Sequence, residues 1–342
     1  MASLPVSVRD NVRDVLLSMP QVVSWKTLAL LLAIINLKNL PLSWHVRLFY
    51  HCITNIRLRP DAPLFPRGKP IADTDGKPTH PVFVPYGITT RTPILETDYN
   101  LHKSNSTYFT DLDVARTALV SRLYSPGVGI VSRELDAEFR DGSKVHPGKA
   151  ISIVLGSVFC SFKREVKPFE PFEIQSKLIA WDQKWAYIIS FFLRPAPRKS
   201  GKKKTLLATA VSKYVVKKGR LTVSPERLLR ASGFLPARPE GASAAPLAAE
   251  STDASGIGTP ASGEGITAET GVDGSLVREV LKLNDEQVPG RETLEGQKKD
   301  NAGSWDSEEW PWERIEQERQ RGLGVVEGYS NLDAKIHDEW KE

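Results

Sequence analysis

Cysteine is scarce: Cys52 and Cys160 are the only two in 342 residues. Two thiols cannot build a disulfide framework or a zinc site, and a cytoplasmic, reducing compartment fits such a chain. The six histidines are scattered and show no His-x-x-x-His or comparable spacing, so no metal and no cofactor is expected. Long hydrophobic runs are lacking as well. The uncharged stretch Thr27 to Leu37 is 11 residues, ended by Lys38 and soon followed by Pro41, whereas a bilayer span needs about 20 residues. It also lies too far from Met1 to read as a cleaved signal peptide. No Gly-x-Ser-x-Gly, Walker or Rossmann glycine signature is present, which argues against the common serine-hydrolase and nucleotide-binding classes. Phe, Trp and Tyr are missing from residues 236–304, a stretch rich in Ala, Gly, Ser, Thr, Pro and Glu that is expected to be disordered.

What is present begins with a charge asymmetry. Residues 236–342 carry 11 lysines and arginines against 23 aspartates and glutamates, a net of −12, so residues 1–235 hold +17 of the overall +5. A basic body with an acidic tail points to anionic partners. With no recognition motif of interleaved aromatics, nucleic acid is not expected among them. An anionic membrane surface or a phosphate-bearing substrate fits better.

Residues 1–57 read as two or three helices: Val6 to Leu17, Trp25 to Leu37 and Trp44 to Arg57. They either lie on a membrane surface or pack on the body, and the pattern leaves both open. Residues 58–84, with Pro60, Pro63, Pro66, Pro70, Pro78 and Pro81, read as an extended connector. A strand is expected over Tyr86 to Glu96. A helix follows over Thr107 to Tyr124, with Tyr108, Leu112, Ala115, Leu119 and Leu123 as its apolar stripe and Pro126-Gly127 closing it. After an insertion at 126–149 come strands near Ile151–Arg164, Phe172–Trp181, Trp185–Leu193 and Leu206–Val216, the third apolar on both faces. Residues 221–235 read as a helical extension. The tail at 305–342 reads as helical, and Trp305, Trp310 and Trp312 are apolar enough to dock it on the body. Periodicity alone yields an α+β domain, a sheet on a helix.

The most telling stretch runs from Glu96 to Phe109, Glu-Thr-Asp-Tyr-Asn-Leu-His-Lys-Ser-Asn-Ser-Thr-Tyr-Phe. A strand delivers a carboxylate, then His102 and Asn105, and a helix starts at once. That order can set an acid beside the free N–H groups of a helix N-terminus, where a developing oxyanion is held. The pattern Asp98-x-x-x-His102-x-x-Asn105-x-x-Tyr108 resembles the signature of hotdog-fold thioesterases of the 4-hydroxybenzoyl-CoA thioesterase type, in particular the fungal thioesterase-like branch associated with secondary-metabolite clusters. The resemblance spans about residues 85–220 and includes the Trp181-Asp-x-Lys turn.

It implies a hotdog fold, an antiparallel sheet wrapped around a central helix, with the N-terminal helices and the acidic C-terminal region as additions. It implies Asp98 as nucleophile or as base for water, and backbone amides of Asn105, Ser106, Thr107 and Tyr108 as oxyanion donors. The substrate would be an acyl-CoA or acyl-carrier-protein thioester, such as a polyketide or lipopeptide intermediate, and the working unit a homodimer. A non-catalytic acyl-binding or membrane-associated scaffold is the alternative, and a hydratase is a third. Many relatives carry Asn-Asn where this chain has Ser104-Asn105. From the residues alone, Asp98 can equally be an Asx-turn cap, and His102 can orient Asp98, contact substrate or simply organise the loop. Glu96 either adds a second acid or ends the strand in solvent, while Asp113 and Arg116 should pair on the helix. The basic tip Arg198–Lys204 is either a solvated hairpin or a contact for coenzyme A phosphates. Asn105-Ser106-Thr107 is an N-glycosylation sequon whose glycan would sit on the proposed site, which also favours the cytosol.

Overall fold

Strands form where β-branched and aromatic residues alternate, and each of the four such segments after the central helix joins a single sheet. The computed structural model describes residues 24–56, 64–65, 71–73, 76–138, 151–196, 203–219, 221–239 and 290–339. The helix expected over Val6 to Leu17 lies outside them, as do most of the basic tip and most of the stretch expected to be disordered. Strands β1 (Tyr86–Arg91), β2 (Ile151–Phe162), β3 (Pro171–Trp181), β4 (Trp185–Arg194), β5 (Thr205–Lys218) and β6 (Leu221–Val223) pair antiparallel, in the order β1-β3-β4-β5-β2, with β6 added on β5. The register is set by pairs such as Ile88↔Ile174, Ser176↔Ser190 and Ser190↔Ala210.

Among the helices, α1 is Trp25–Ile35, α2 Ser43–Asn55, α3 Thr107–Tyr124, α4 Gly127–Glu138, α5 Pro225–Ala231, α6 Arg291–Ala302 and α7 Trp312–Asp338. The central one, α3, keeps the bounds its stripe predicts and buries Tyr108, Leu112, Ala115, Leu119 and Leu123 under the sheet. Ala115 and Ala118 are fully buried, and their small side chains let the sheet close around the helix. Arg116 is buried too. It pairs with Asp113 at 2.5 Å and donates to Ser212 Oγ on β5 at 2.7 Å.

The opposite face of the sheet is covered by α7, which explains why β4 is apolar on both sides. Val326 is buried among Ile179, Tyr187 and Val215, Arg319 Nη1 donates to the Trp181 carbonyl at 2.6 Å, and Tyr329 meets Ser157 at 2.7 Å. Where α7 crosses β3, a Cβ on Gly322 would lie 2.0 Å from the Ile179 carbonyl oxygen, so only glycine fits that approach.

Four expectations need correction. The first strand ends at Arg91 rather than Glu96, because Pro93 has no N–H for a ladder and Ile94–Glu96 turns as a 3₁₀ helix. The proline-rich connector is not merely extended: Phe65, His80 and Val82 are buried in the core, His80 against Trp305 and Trp310 with ring centroids 4.8 and 5.6 Å away. The helical extension begins as strand, since Leu221–Val223 pairs with Val216–Lys218 before α5. Finally, part of the stretch expected to be disordered is helical, since Arg291–Ala302 forms α6. Helix α6 is polar, yet it buries Leu294, Gln297 and Asn301, and Asn301 Nδ2 donates to the Ser232 carbonyl at 2.7 Å. Its one large apolar residue, Leu294, joins the main core but gives no periodic signal, and the backbone of Lys298 lies close against Gly233.

Candidate active site

Residues 97–103 fold back on themselves as a tight hairpin. Thr97 and Lys103 form an antiparallel bridge, Asp98 N–H donates to the His102 carbonyl at 2.9 Å, and Leu101 N–H donates to the Asp98 carbonyl at 3.0 Å. Tyr99, Asn100 and Leu101 make the exposed tip, and Leu101 takes a left-handed φ of 59° that is uncommon for a non-glycine residue. The Ser104 N–H donates to the Glu96 carbonyl at 2.7 Å, which closes the hairpin where α3 begins.

Asp98 is half-buried on this stem. Its Oδ1 accepts from the Asn100 N–H at 2.9 Å and from the His102 N–H at 3.4 Å, the geometry of an Asx turn. Oδ2 makes no hydrogen bond among the described residues. Past the hairpin, Thr107, Tyr108 and Phe109 N–H groups engage the carbonyls of Ser104, Asn105 and Ser106, respectively, at 3.0–3.4 Å. Those of Asn105 and Ser106, both exposed, have no partner among the described residues. Of the four positions expected to supply oxyanion donors, these two keep a free N–H. Tyr108 is buried, its ring 4.9 Å from both Phe162 and Phe192, and burial raises its hydroxyl pKa.

The His102 ring turns away from the Asp98 carboxylate. Its Nε2 lies 2.8 Å from Glu165 Oε2 on the β2–β3 connector, and the adjacent Lys103 N–H donates to the Val166 carbonyl at 2.8 Å. These two contacts pin the hairpin to that connector. Beyond them opens a cleft of about 870 Å³ lined by Arg164, Glu165, Lys167, Pro168, Phe169, Glu170 and Arg194. Lys204, at the edge of the basic tip, is paired with Glu173 at 2.5 Å.

Beneath the hairpin lies a charge cluster that the sequence reading missed. Glu96, expected in solvent, is only 2% exposed. Its Oε2 is 2.8 Å from Lys38 Nζ and 2.6 Å from Lys103 Nζ. Asp111, fully buried on α3, lies 2.8 Å from Lys38, 2.9 Å from Lys103 and 3.1 Å from Arg47. Lys38 also donates to the Arg91 carbonyl at 3.0 Å. Two carboxylates thus meet three cations, two of them from the N-terminal helical segment, and the surplus is positive. Burial acts to raise the Asp111 pKa, but Lys103, Lys38 and Arg47 outweigh it and hold the carboxyl below its ordinary value. For Lys38 burial wins, and its pKa is lowered. One signal was available: Asp111 stands three residues after Tyr108 and four before Ala115, inside the buried arc of α3. A carboxylate there must have cationic partners.

Among the described residues, no three His, Cys, Asp or Glu side chains gather in a way that could hold a metal ion. None of their helices is long and apolar enough to cross a membrane.

Comparison with known proteins agrees with the topology. Residues 92–231 match the family model described as thioesterase-like superfamily. Thioesterase lcsJ of Purpureocillium lilacinum is 35% identical over 330 residues, which cover 92% of this chain and 93% of that protein. Thioesterase poxG of Penicillium oxalicum is 33% identical over 247 residues, 66% of this chain and 77% of its own length. Probable thioesterase atnL of Emericella nidulans is 34% identical over 222 residues, 59% of this chain and 69% of the relative. With the hotdog sheet, the central helix and near full-length likeness to a thioesterase, the chain belongs to the thioesterase-like superfamily.

Proposed function

We propose that this thioesterase cleaves or transfers the acyl group of a coenzyme A or carrier-protein thioester in fungal secondary metabolism, with Asp98 as the reacting carboxylate. Oδ2 of Asp98 either attacks the carbonyl carbon or takes a proton from the attacking water. The free N–H groups of Asn105 and Ser106 hold the oxygen that becomes negative, the C–S bond breaks, and the thiolate leaves and is protonated. Where Asp98 attacks directly, water or an acceptor hydroxyl or amine then cleaves the acyl–Asp98 anhydride and frees the carboxylate. Where it acts as base, the proton it takes from water passes to the leaving thiolate. One such donor typically lowers the barrier by about 2.7–4 kcal/mol, and the surplus positive charge beneath the hairpin acts in the same sense. The observation that supports this reading best is the unengaged Oδ2 on a rigid stem that leads directly into two unpaired amides. His102 serves mainly by tying the hairpin to Glu165. Arg164 and Lys167, in the neighbouring cleft, suit the phosphates of a coenzyme A or phosphopantetheine arm.

A second copy of the chain completes the site in this reading. Strand β2 is an uncharged 12-residue edge, a form of edge that proteins normally cover. Its last residue, Phe162, packs on Tyr108 at the start of α3, so a chain paired along β2 would wall the pocket there. Cytoplasmic residence and contact of the N-terminal helices with a membrane surface belong to the same proposal; nucleic acid does not.

The alternative, an acyl-binding scaffold without turnover, is favoured by one observation: Oδ1 of Asp98 is already used as a turn cap. A panel of acyl-CoA thioesters assayed with the wild type and Asp98→Asn separates the two. Turnover by the wild type that falls sharply in the variant supports the enzyme. Binding without turnover by the wild type favours the scaffold, and undiminished cleavage by Asp98→Asn removes Asp98 from the mechanism.

A further inference from the structure

Helix α1 reads Trp-Lys-Thr-Leu-Ala-Leu-Leu-Leu-Ala-Ile-Ile and buries none of its residues. Trp25 is 76% exposed, Leu31 55% and, past the following turn, Leu42 68%. A helix this apolar on all sides, left uncovered by the described residues, marks an interaction surface rather than a stray exposed side chain. At about 1.5 Å per residue it is some 16 Å long, about half of what a span requires.

The composition around it selects the partner. From Val15 to Pro60 there is no aspartate or glutamate, while Lys26, Lys38, Arg47, Arg57 and Arg59 are all present. Lys38 and Arg47 are committed to the buried cluster, and Lys26 on α1 is exposed. An acid-free, basic and apolar segment repels neither anionic headgroups nor acyl chains.

The end of α1 is tied to the base of the motif hairpin. Asn36, which follows α1, accepts the Leu95 N–H through its side-chain oxygen at 2.8 Å, and Lys38 holds Glu96. At the tip of that hairpin Tyr99 is 93% exposed and Leu101 69%. Two exposed apolar elements, α1 and the hairpin tip, are thus joined through Asn36, Lys38, Leu95 and Glu96.

We propose that α1 and the turn into α2 lie in the surface of an anionic phospholipid bilayer, with the Tyr99–Leu101 tip beside them. Its second half rests on the thioesterase reading: a lipophilic acyl thioester would then reach Asp98 from the membrane.

Flotation of the full chain with phosphatidylcholine vesicles, with and without phosphatidylserine, tests the surface without using activity. The wild type should float with the mixed vesicles, with a partition coefficient at least about tenfold above that for phosphatidylcholine alone. Leu31→Asp/Ile34→Asp should remain in the bottom fraction with an unchanged circular-dichroism melt, and Lys26→Glu should lose most of the preference for phosphatidylserine. Failure of the wild type to float, or equal flotation of the double variant, overturns the proposal. If the double variant instead loses a dimer seen in sedimentation, a second copy covers α1, which overturns it too. Hydrolysis of a water-soluble short-chain acyl-CoA, measured in parallel, reports on the thioesterase reading alone. Flotation without such hydrolysis would leave the membrane surface standing and remove only the route to Asp98.

Discussion

Replacing Asp111 with asparagine keeps the shape of a fully buried side chain and deletes one of the two charges that hold three cations together. In the wild type its oxygens lie 2.8–3.1 Å from Lys38, Lys103 and Arg47. The variant leaves those three against Glu96 alone. Removing one partner of a buried ion pair typically costs about 3–5 kcal/mol, because the remaining charge is desolvated without compensation. With about 1–3 kcal/mol per molar as a usual urea slope, the midpoint should fall by at least about 1 M. Urea titration followed by tryptophan fluorescence and circular dichroism measures it. Lys38→Met should cost somewhat less, since Lys103 still bridges Glu96 and Asp111. The double variant should be milder than the sum of the two by about 0.5–3 kcal/mol, the range seen for groups in one network. pH dependence supplies a second reading. The folded pKa of Asp111 lies below its unfolded value, so its contribution is present above the unfolded pKa and is lost as pH falls through the folded one. Asp111→Asn should therefore show a shallower loss of stability in acid. A midpoint shift under about 0.3 M for Asp111→Asn, or additivity with Lys38→Met, would refute the view that this cluster welds the N-terminal helices to the hairpin.

Further outcomes follow from other contacts. Asp98→Asn should lower kcat by about 10²–10⁴-fold with little change in melting temperature, read by thioester hydrolysis and a thermal scan; a change in KM alone would count against its role. His102→Ala should cost under about 1 kcal/mol in a urea titration, because its pair with Glu165 is largely exposed and the Asp98 contacts run through backbone. Gly322→Ala would force a Cβ onto the Ile179 carbonyl, so α7 should release and limited proteolysis should cut there first; unchanged resistance would contradict the packing. Burial pushes the His80 pKa from 6.5 to about 3. The neutral form is the one the fold keeps, so stability is full above the unfolded value and declines as pH falls toward 3. The loss should reach on the order of 4 kcal/mol, and His80→Phe should flatten that pH profile in acid titration.

Much of the fold was legible because it rests on local repeats. Tyr108, Leu112, Ala115, Leu119 and Leu123 recur at helical spacing, and α3 keeps those bounds. Phe172, Ile174 and Leu178 alternate, and β3 follows them. Helix α6 left no such trace, since it buries a single leucine, Leu294, and ties Asn301 to the Ser232 carbonyl rather than presenting an apolar stripe. The candidate site divides in the same way. Asp98 and His102 stand close in sequence and fold on one hairpin, with Asn105 just past it, so their nearness could be read from spacing. Lys38, Arg47, Lys103 and Asp111 come from four separate places, and no pattern in any one of them names the others.

By itself, then, the order of residues determined the central helix and the main strands, because burial of one face depends on neighbours a few positions away. Only the tertiary structure decided that Glu96 is buried rather than solvated, that the His102 ring faces Glu165, and that α7 roofs the sheet. Each of those depends on which distant chain arrives to desolvate or neutralise a group, and the cost of a buried charge is known only once its partners are in place.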